Sequence, residues 1–459
     1  MINYYLLSIT TSGMKNIAKP ITIDFSKKTG ISSIQPTGNN VTGIYGSNGA
    51  GKSAVIMSVL FAKGMTTKPD YLASDRAKNI IFTFLNKETN RFDFSITFAD
   101  YDSENDNKVG NIYRYSLSLA FEGVSAKIQS ESLSLIRGRR LTGVESPVFS
   151  ITNGVLSFFS KDPHGFQSFI VEKTLNVLTN STLLSQFGRL LESILAARPE
   201  LEEQKIPEFM YAWFSANAFM SSIAIHLEHQ DEDVVYRPNE KEIAKLQDME
   251  PERIKDNVLS NIKNVGKGIH RIPKEEYASY QKHVAKLTEF LRLFKPDLQK
   301  IEIERREDER YYYCSKVLVY PAYSISASCE STGIRKVLQM FPLLDAASNG
   351  NVVFIDELDA NISGPYLEKL VLYMLHYGKG QLIFTAHSMD PMKVLVKTKS
   401  LYFIGENNVV TYWANSGNYK PYILYPEGMI EGLPFNIDDF DFLSCFSSED
   451  NEESGGQDE

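Results

Sequence analysis

Two clusters of residues in this chain have the types and spacing to handle a phosphate. The first is Gly46-Ser47-Asn48-Gly49-Ala50-Gly51-Lys52-Ser53, which fits the pattern G-x-x-x-x-G-K-[ST]. Glycines at these places let backbone N–H groups curl round a phosphate with no Cβ in the way. Lys52 then reaches the β- and γ-phosphates, and the Ser53 hydroxyl can ligate Mg²⁺. The second cluster is Asn351-Val-Val-Phe-Ile-Asp-Glu-Leu-Asp359, an apolar run ending in carboxylates. In parallel α/β sheets, ligands gather at the C-terminal ends of strands. Asp356 in that place can hold Mg²⁺ through a water, and Glu357 can orient and activate an attacking water. Each cluster alone has an ordinary reading, as a Gly-rich turn or a charged strand end. Their pairing favours the chemical one.

Two further segments fit the same chemistry. In Gln381-Leu-Ile-Phe-Thr-Ala-His-Ser388 an apolar run again ends in a polar residue. The His387 imidazole there can hydrogen-bond a γ-phosphate and register its loss. In Glu330-Ser331-Thr332-Gly333 the serine can cap the helix that follows, and Gly333 keeps the helix start open. An open helix N-terminus attracts anions, although this one also reads as a plain N-cap.

These residues need elements to hold them. Residues 39–45 read as a short strand before the phosphate loop, and Ser53 to Ala62 as a helix after it, its positive end towards the phosphates. Alternation predicts half-buried strands at Tyr4–Thr10, Ile21–Phe25, Asn79–Leu85, Phe92–Phe98 and Tyr113–Phe121, with a polar turn from Asp100 to Lys108. From about Thr174 to Leu298 the pattern is mostly helical, as in Leu183–Leu195 and Tyr280–Phe294. The stretch Glu228–Glu252 is acid-rich, whereas Arg253–Lys300 holds eleven Lys/Arg against five Asp/Glu. This helical stretch is either a solvated insertion of mixed charge or a lid whose basic side touches nucleic acid or a partner. Strands return at Ile301–Glu304, Arg310–Tyr313 and Val317–Tyr320. The expected domains are 1–174, with the loop and a β-lobe; 175–300, a mainly helical insertion; 301–445, a second half carrying the Ser331, Asp356 and His387 segments; and 446–459, an acidic disordered tail.

The 459 residues are 43% hydrophobic and 23% charged, as in soluble globular proteins. No apolar run has the length of a membrane-spanning helix. Cys314, Cys329 and Cys445 lack metal spacing, and no Lys or Arg precedes Lys15. Together these predict a reduced cytoplasmic protein with no membrane partner. The net charge of −9 comes from one end: nine of the 57 acids lie within 438–459, leaving 48 acids against 48 bases. A globally anionic protein gains no long-range pull toward DNA, although a neutral body can still carry a local basic face. The tail reads as a solubilising end or as a segment that docks on a basic face.

The order of the segments resembles that of ABC-type ATPase heads: phosphate loop, large insertion, Ser-x-Gly helix start, Asp-Glu strand, His strand. More closely it resembles the RecF/SMC/OLD-like branch, which includes ATPase subunits of bacterial anti-phage and abortive-infection systems of the PARIS, Septu and AbiL type. Residues 1–60 and 315–435 carry the resemblance, and Gly13-Met-Lys-Asn-Ile17 is similar to the turn after the family's opening strand. The resemblance implies an α/β ABC-ATPase head, with a mixed P-loop sheet, an antiparallel β-lobe and a helical insertion. It makes Ser331 and Gly333 the signature that meets the γ-phosphate of the opposite subunit, and Asp359 the D-loop residue at the dimer interface. The signature here is Ser-Thr-Gly, where transporters have Leu-Ser-Gly-Gly-Gln, and Gln129 is the candidate for a glutamine loop. The residues after His387, with Tyr402, Trp413 and Pro434-Phe435, read as a cap on the head.

The expectation is a Mg²⁺-dependent ATPase that closes as a head-to-head dimer on ATP. Its implied setting is a defence sensor that controls a separate toxin or nuclease. The alternatives are a RecF/SMC-like DNA-repair or DNA-binding ATPase and, ranked last, a transporter's energy subunit.

Overall fold

The structure is a computed structural model that describes residues 2–26, 31–137, 143–161, 165–197, 207–227, 269–414 and 419–430. The acid-rich stretch 228–252, the basic residues up to 268, Pro434-Phe435, Cys445 and the acidic tail lie outside the described residues.

Short runs of β-branched and aromatic residues, buried on both faces, build the central sheet. Its order is β17-β16-β3-β15-β14-β9, from Val410–Tyr412, Leu401–Ile404, Val41–Gly46, Gln381–Thr385, Val352–Ile355 and Ala224–His226. All neighbours are parallel except β16 and β17. Every residue of β3, β14, β15 and β16 is buried. The phosphate-loop strand β3 and the Asp-Glu strand β14 therefore flank the His strand β15, and all three end on one side.

A second, antiparallel sheet has the order β2-β1-β4-β5-β6-β7-β8. Its strands are Ile21–Asp24, Ile2–Ser12, Arg91–Asp102, Lys108–Glu122, Ser125–Ile136, Glu145–Thr152 and Val155–Phe159. The phosphate-loop helix Lys52–Thr67 shares one core with both this sheet and the helix Glu208–Ser222. Phe98 on β4 stacks on Phe219 of that second helix, with ring centroids 4.1 Å apart. The described part of residues 175–227 is thus packed into the head. A smaller sheet joins β10 (Ile269–Pro273), β12 (Tyr311–Val319) and β11 (Lys300–Glu307), with β13 (Ser324–Ser326) on β12. The helices Tyr277–Arg292 and Thr332–Ser348 pack beneath it. The architecture is mixed α/β: a largely parallel sheet carrying the Gly46–Ser53 loop beside a seven-stranded antiparallel sheet.

Four local expectations change. Residues 75–84 form a helix instead of a strand, because Ser74 caps it and Ala77, Ile80 and Ile81 line one buried face. The helix expected from Leu183 begins at Phe187. The two strands expected at 310–313 and 317–320 are one, β12. Tyr402 lies within the central sheet on β16, so the segment after His387 completes the sheet as well as covering it.

Glu131, buried on β6, holds the turn before the helix Phe187–Ala197 to the lobe. Its carboxylate accepts from the N–H groups of Leu183 (2.6 Å) and Leu184 (3.0 Å) and from the Tyr115 hydroxyl (3.0 Å). Burial raises its pKa from 4.5 to about 7 despite those donors. Within that window the folded state binds more protons than the unfolded chain, so this group's contribution to stability falls as pH rises. Glu131→Gln should flatten the fall in urea-unfolding free energy between pH 4.5 and 7; an unaltered slope would contradict this.

Candidate nucleotide site

The loop from Gly46 to Ser53 joins β3 to the helix Lys52–Thr67. At Gly46 a Cβ would sit 2.4 Å from the Ile404 carbonyl oxygen of β16, so only glycine fits there. Gly51 caps the helix from the left-handed region, with no side-chain acceptor. The first-turn N–H groups are therefore left for an anion.

Neighbouring turns brace the loop. The Asn16 amide donates to Gly49 O at 2.6 Å, and the Asn408 amide to Ala50 O at 3.3 Å. Lys52 Nζ donates to Gly46 O at 2.8 Å and to Ser47 O at 3.2 Å. Burial lowers the Lys52 pKa, against the pull of Asp356, Glu357 and Asp359.

Strand register sets the acidic side. Ile355 on β14 lies beside Phe384 on β15, which brings the next pair, Asp356 and Thr385, together. Thr385 Oγ1 donates to Asp356 Oδ1 at 2.6 Å and accepts from Glu357 N–H at 2.8 Å. Asp356 is buried, and its N–H donates to His226 O on β9 at 2.9 Å. Glu357 takes a left-handed backbone, φ +49°, which ends the strand sharply. Asp359 Oδ2 then accepts from the N–H groups of His387 (2.9 Å) and Ser388 (2.6 Å), fixing the turn that bears the imidazole.

These elements meet around a cavity of about 580 Å³ lined by Lys52, Ser53, Glu357 and His387, together with Lys15 and Asn16. The phosphate loop, the Asp-Glu strand and His387 are thus gathered within one chain. Ser331 and Gly333 are not among the residues lining this cavity. Ser331 Oγ accepts from Ile334 N–H at 3.4 Å and caps the helix Thr332–Ser348. A Cβ on Gly333 would come within 2.9 Å of Asn361 O, just beyond Asp359. Gln129 sits within strand β6, away from the cavity.

Among the described residues, no three His, Cys, Asp or Glu side chains gather as a metal cage. The hard oxygens of Ser53 and the buried Asp356 still suit Mg²⁺, which is commonly held by one or two carboxylates plus substrate phosphates. Asn16, Thr385, His226 and Lys336 make contacts around the site for which their sequence positions gave no individual role. Two of these had a signal in the sequence: Thr385 ends an apolar run next to His387, and Asn16 lies in the Gly13–Ile17 turn.

No family description and no curated protein matches this chain. Solved structures similar to it include the SmcHead bound to the C-winged helix domain of ScpA, at 14% identity and TM-score 0.42. Two more are Smc head domains with coiled coils, from Pyrococcus furiosus (13%, TM-score 0.39) and Pyrococcus yayanosii (11%, TM-score 0.39). Each comparison covers 89% of this chain and 96% of the other.

Thr385→Val removes one hydroxyl that serves two partners, the buried Asp356 carboxylate and the half-buried Glu357 N–H. It should cost about 1–3 kcal/mol, the penalty for leaving such groups unsatisfied. Urea unfolding checks this; a loss below about 0.5 kcal/mol, the range of surface substitutions, would contradict it.

Proposed function

We propose that this chain is a Mg²⁺-dependent ATPase that works as a head-to-head dimer closed on ATP. The observation that carries the reading is the single cavity uniting Lys52 and Ser53 with Glu357 and His387. The loop N–H groups and Lys52 bind the phosphates, and Glu357 orients the attacking water and takes its proton. His387 hydrogen-bonds the γ-phosphate from a turn held by Asp359. Mg²⁺, bound by Ser53 and by Asp356 through a water, would offset charge on the transferred phosphoryl group. Ser331 and Gly333 lie outside the cavity, and a second copy would bring its own Ser331 helix start to the phosphates. ATP then acts as the adhesive of the interface, and linkage makes assembly depend on nucleotide.

The biological setting rests on the resemblance of the segment order. On that ground we assign the chain to a cytoplasmic anti-phage sensor that controls a separate toxin or nuclease. A RecF/SMC-like grip on DNA is the alternative, and it requires salt-sensitive stimulation of the ATPase by DNA. A toxin or nuclease gene beside this one, together with no stimulation by DNA, supports the sensor.

Lys52→Ala should abolish ATP binding in equilibrium titration. Glu357→Gln should bind ATP normally while turnover falls by about 10² or more, the contribution of a positioned general base. Light scattering should then find dimers of Glu357→Gln only with ATP. Wild-type turnover in that variant would overturn the mechanism.

A further inference from the structure

We infer that Lys336 is a positioning residue that couples the helix beginning at Ser331 to Glu357 of the same subunit. The inference rests on the ATPase reading above. Its basis is a buried contact that the phosphate chemistry does not use.

Lys336 and His226 are only 3% and 4% exposed, and Lys336 Nζ lies 3.2 Å from His226 Nε2. His226 ends β9, opposite Ile355 of β14, and its carbonyl accepts the N–H of Asp356. Lys336 therefore reaches the strand end carrying the catalytic carboxylates through a single intervening residue. The nearby carboxylates Glu357, Asp356 and Asp359 favour its ammonium form. Burial lowers its pKa to about 8, and those three acids resist the fall. A buried ammonium is costly unless it finds a partner, and the His226 ring nitrogen lies within hydrogen-bond reach of this one.

The same three acids act on Lys52. The acidic cluster thus interacts with two lysines on different elements, one in the phosphate loop and one on the helix Thr332–Ser348. Phosphate bound at Lys52 changes the balance on one side. The position of the helix sets it on the other, because Lys336 lies five residues from Ser331, about 7.5 Å along a stiff helix. In the closed dimer the Ser331 end of that helix meets the partner's nucleotide. Its Lys336 meets the carboxylates of its own subunit, so the two nucleotide sites are coupled.

The test uses the full chain and the variants Lys336→Met and Lys336→Arg. A fluorescent ATP analogue measures affinity, steady-state turnover gives kcat and its ATP dependence, and thermal melts follow folding. In Lys336→Met, affinity and folding should hold. Its kcat should fall roughly 10- to 100-fold, as when a supporting outer-shell group is lost. The wild-type chain should show a sigmoidal ATP dependence and Lys336→Met a hyperbolic one; a hyperbolic wild-type curve would overturn the coupling of the two sites. Lys336→Arg keeps the charge and should recover most of both. Wild-type kcat and sigmoidicity in Lys336→Met would overturn the inference. So would equal impairment of both variants with lowered melting temperatures, which marks a purely structural role. Absence of ATP turnover in the wild-type chain, or of ATP-dependent dimers in Glu357→Gln, would instead overturn the ATPase reading and this inference with it.

Discussion

The Thr385 hydroxyl, donating to Asp356 and accepting from Glu357 N–H, is the contact on which the site depends. It exists because β14 and β15 run parallel in one register, with Ile355 beside Phe384. A slip of one residue would turn alternate side chains to the other face and separate the acids from the phosphate loop. Asp356 is almost fully removed from water, so this donor also meets a hydrogen-bonding need that solvent cannot.

The antiparallel lobe serves the same end from further away. The Gly13–Ile17 turn leaves strand β1 and lends Asn16 to the loop carbonyl of Gly49. On the opposite flank, Asn408, beyond β16, reaches Ala50. The Tyr402 hydroxyl donates to the Asp24 carbonyl and joins the central sheet to β2. The phosphate loop is therefore held from both sheets, and its glycines keep their unusual backbone without side chains of their own to anchor them.

Electrostatics at the site is a balance of three acids, Asp356, Glu357 and Asp359, against two lysines. Burial penalises the charges of the two lysines, and the nearby acids oppose that penalty. Such a cluster responds strongly when a polyanion and a divalent cation enter it.

Much of this was legible in the amino-acid order. Gly46–Ser53, Val352–Glu357 and Gln381–His387 are short, and their chemistry is set by neighbours in the chain: glycines for a tight turn, an apolar run that must be buried, a polar residue at its end. Ser331 as a cap was legible for the same local reason. Residues 79–85 misled because alternation and helical spacing cannot be told apart over so few residues, and the Ser74 cap decided for a helix. The pairing of β16 with β3 and the assembly of Thr385 with Asp356 were decided only by the tertiary structure. So was the meeting of Lys336 with His226, 110 residues apart in the chain. Those contacts depend on which strands lie side by side and in what register. That outcome belongs to the packing of whole sheets, and no local pattern encodes it.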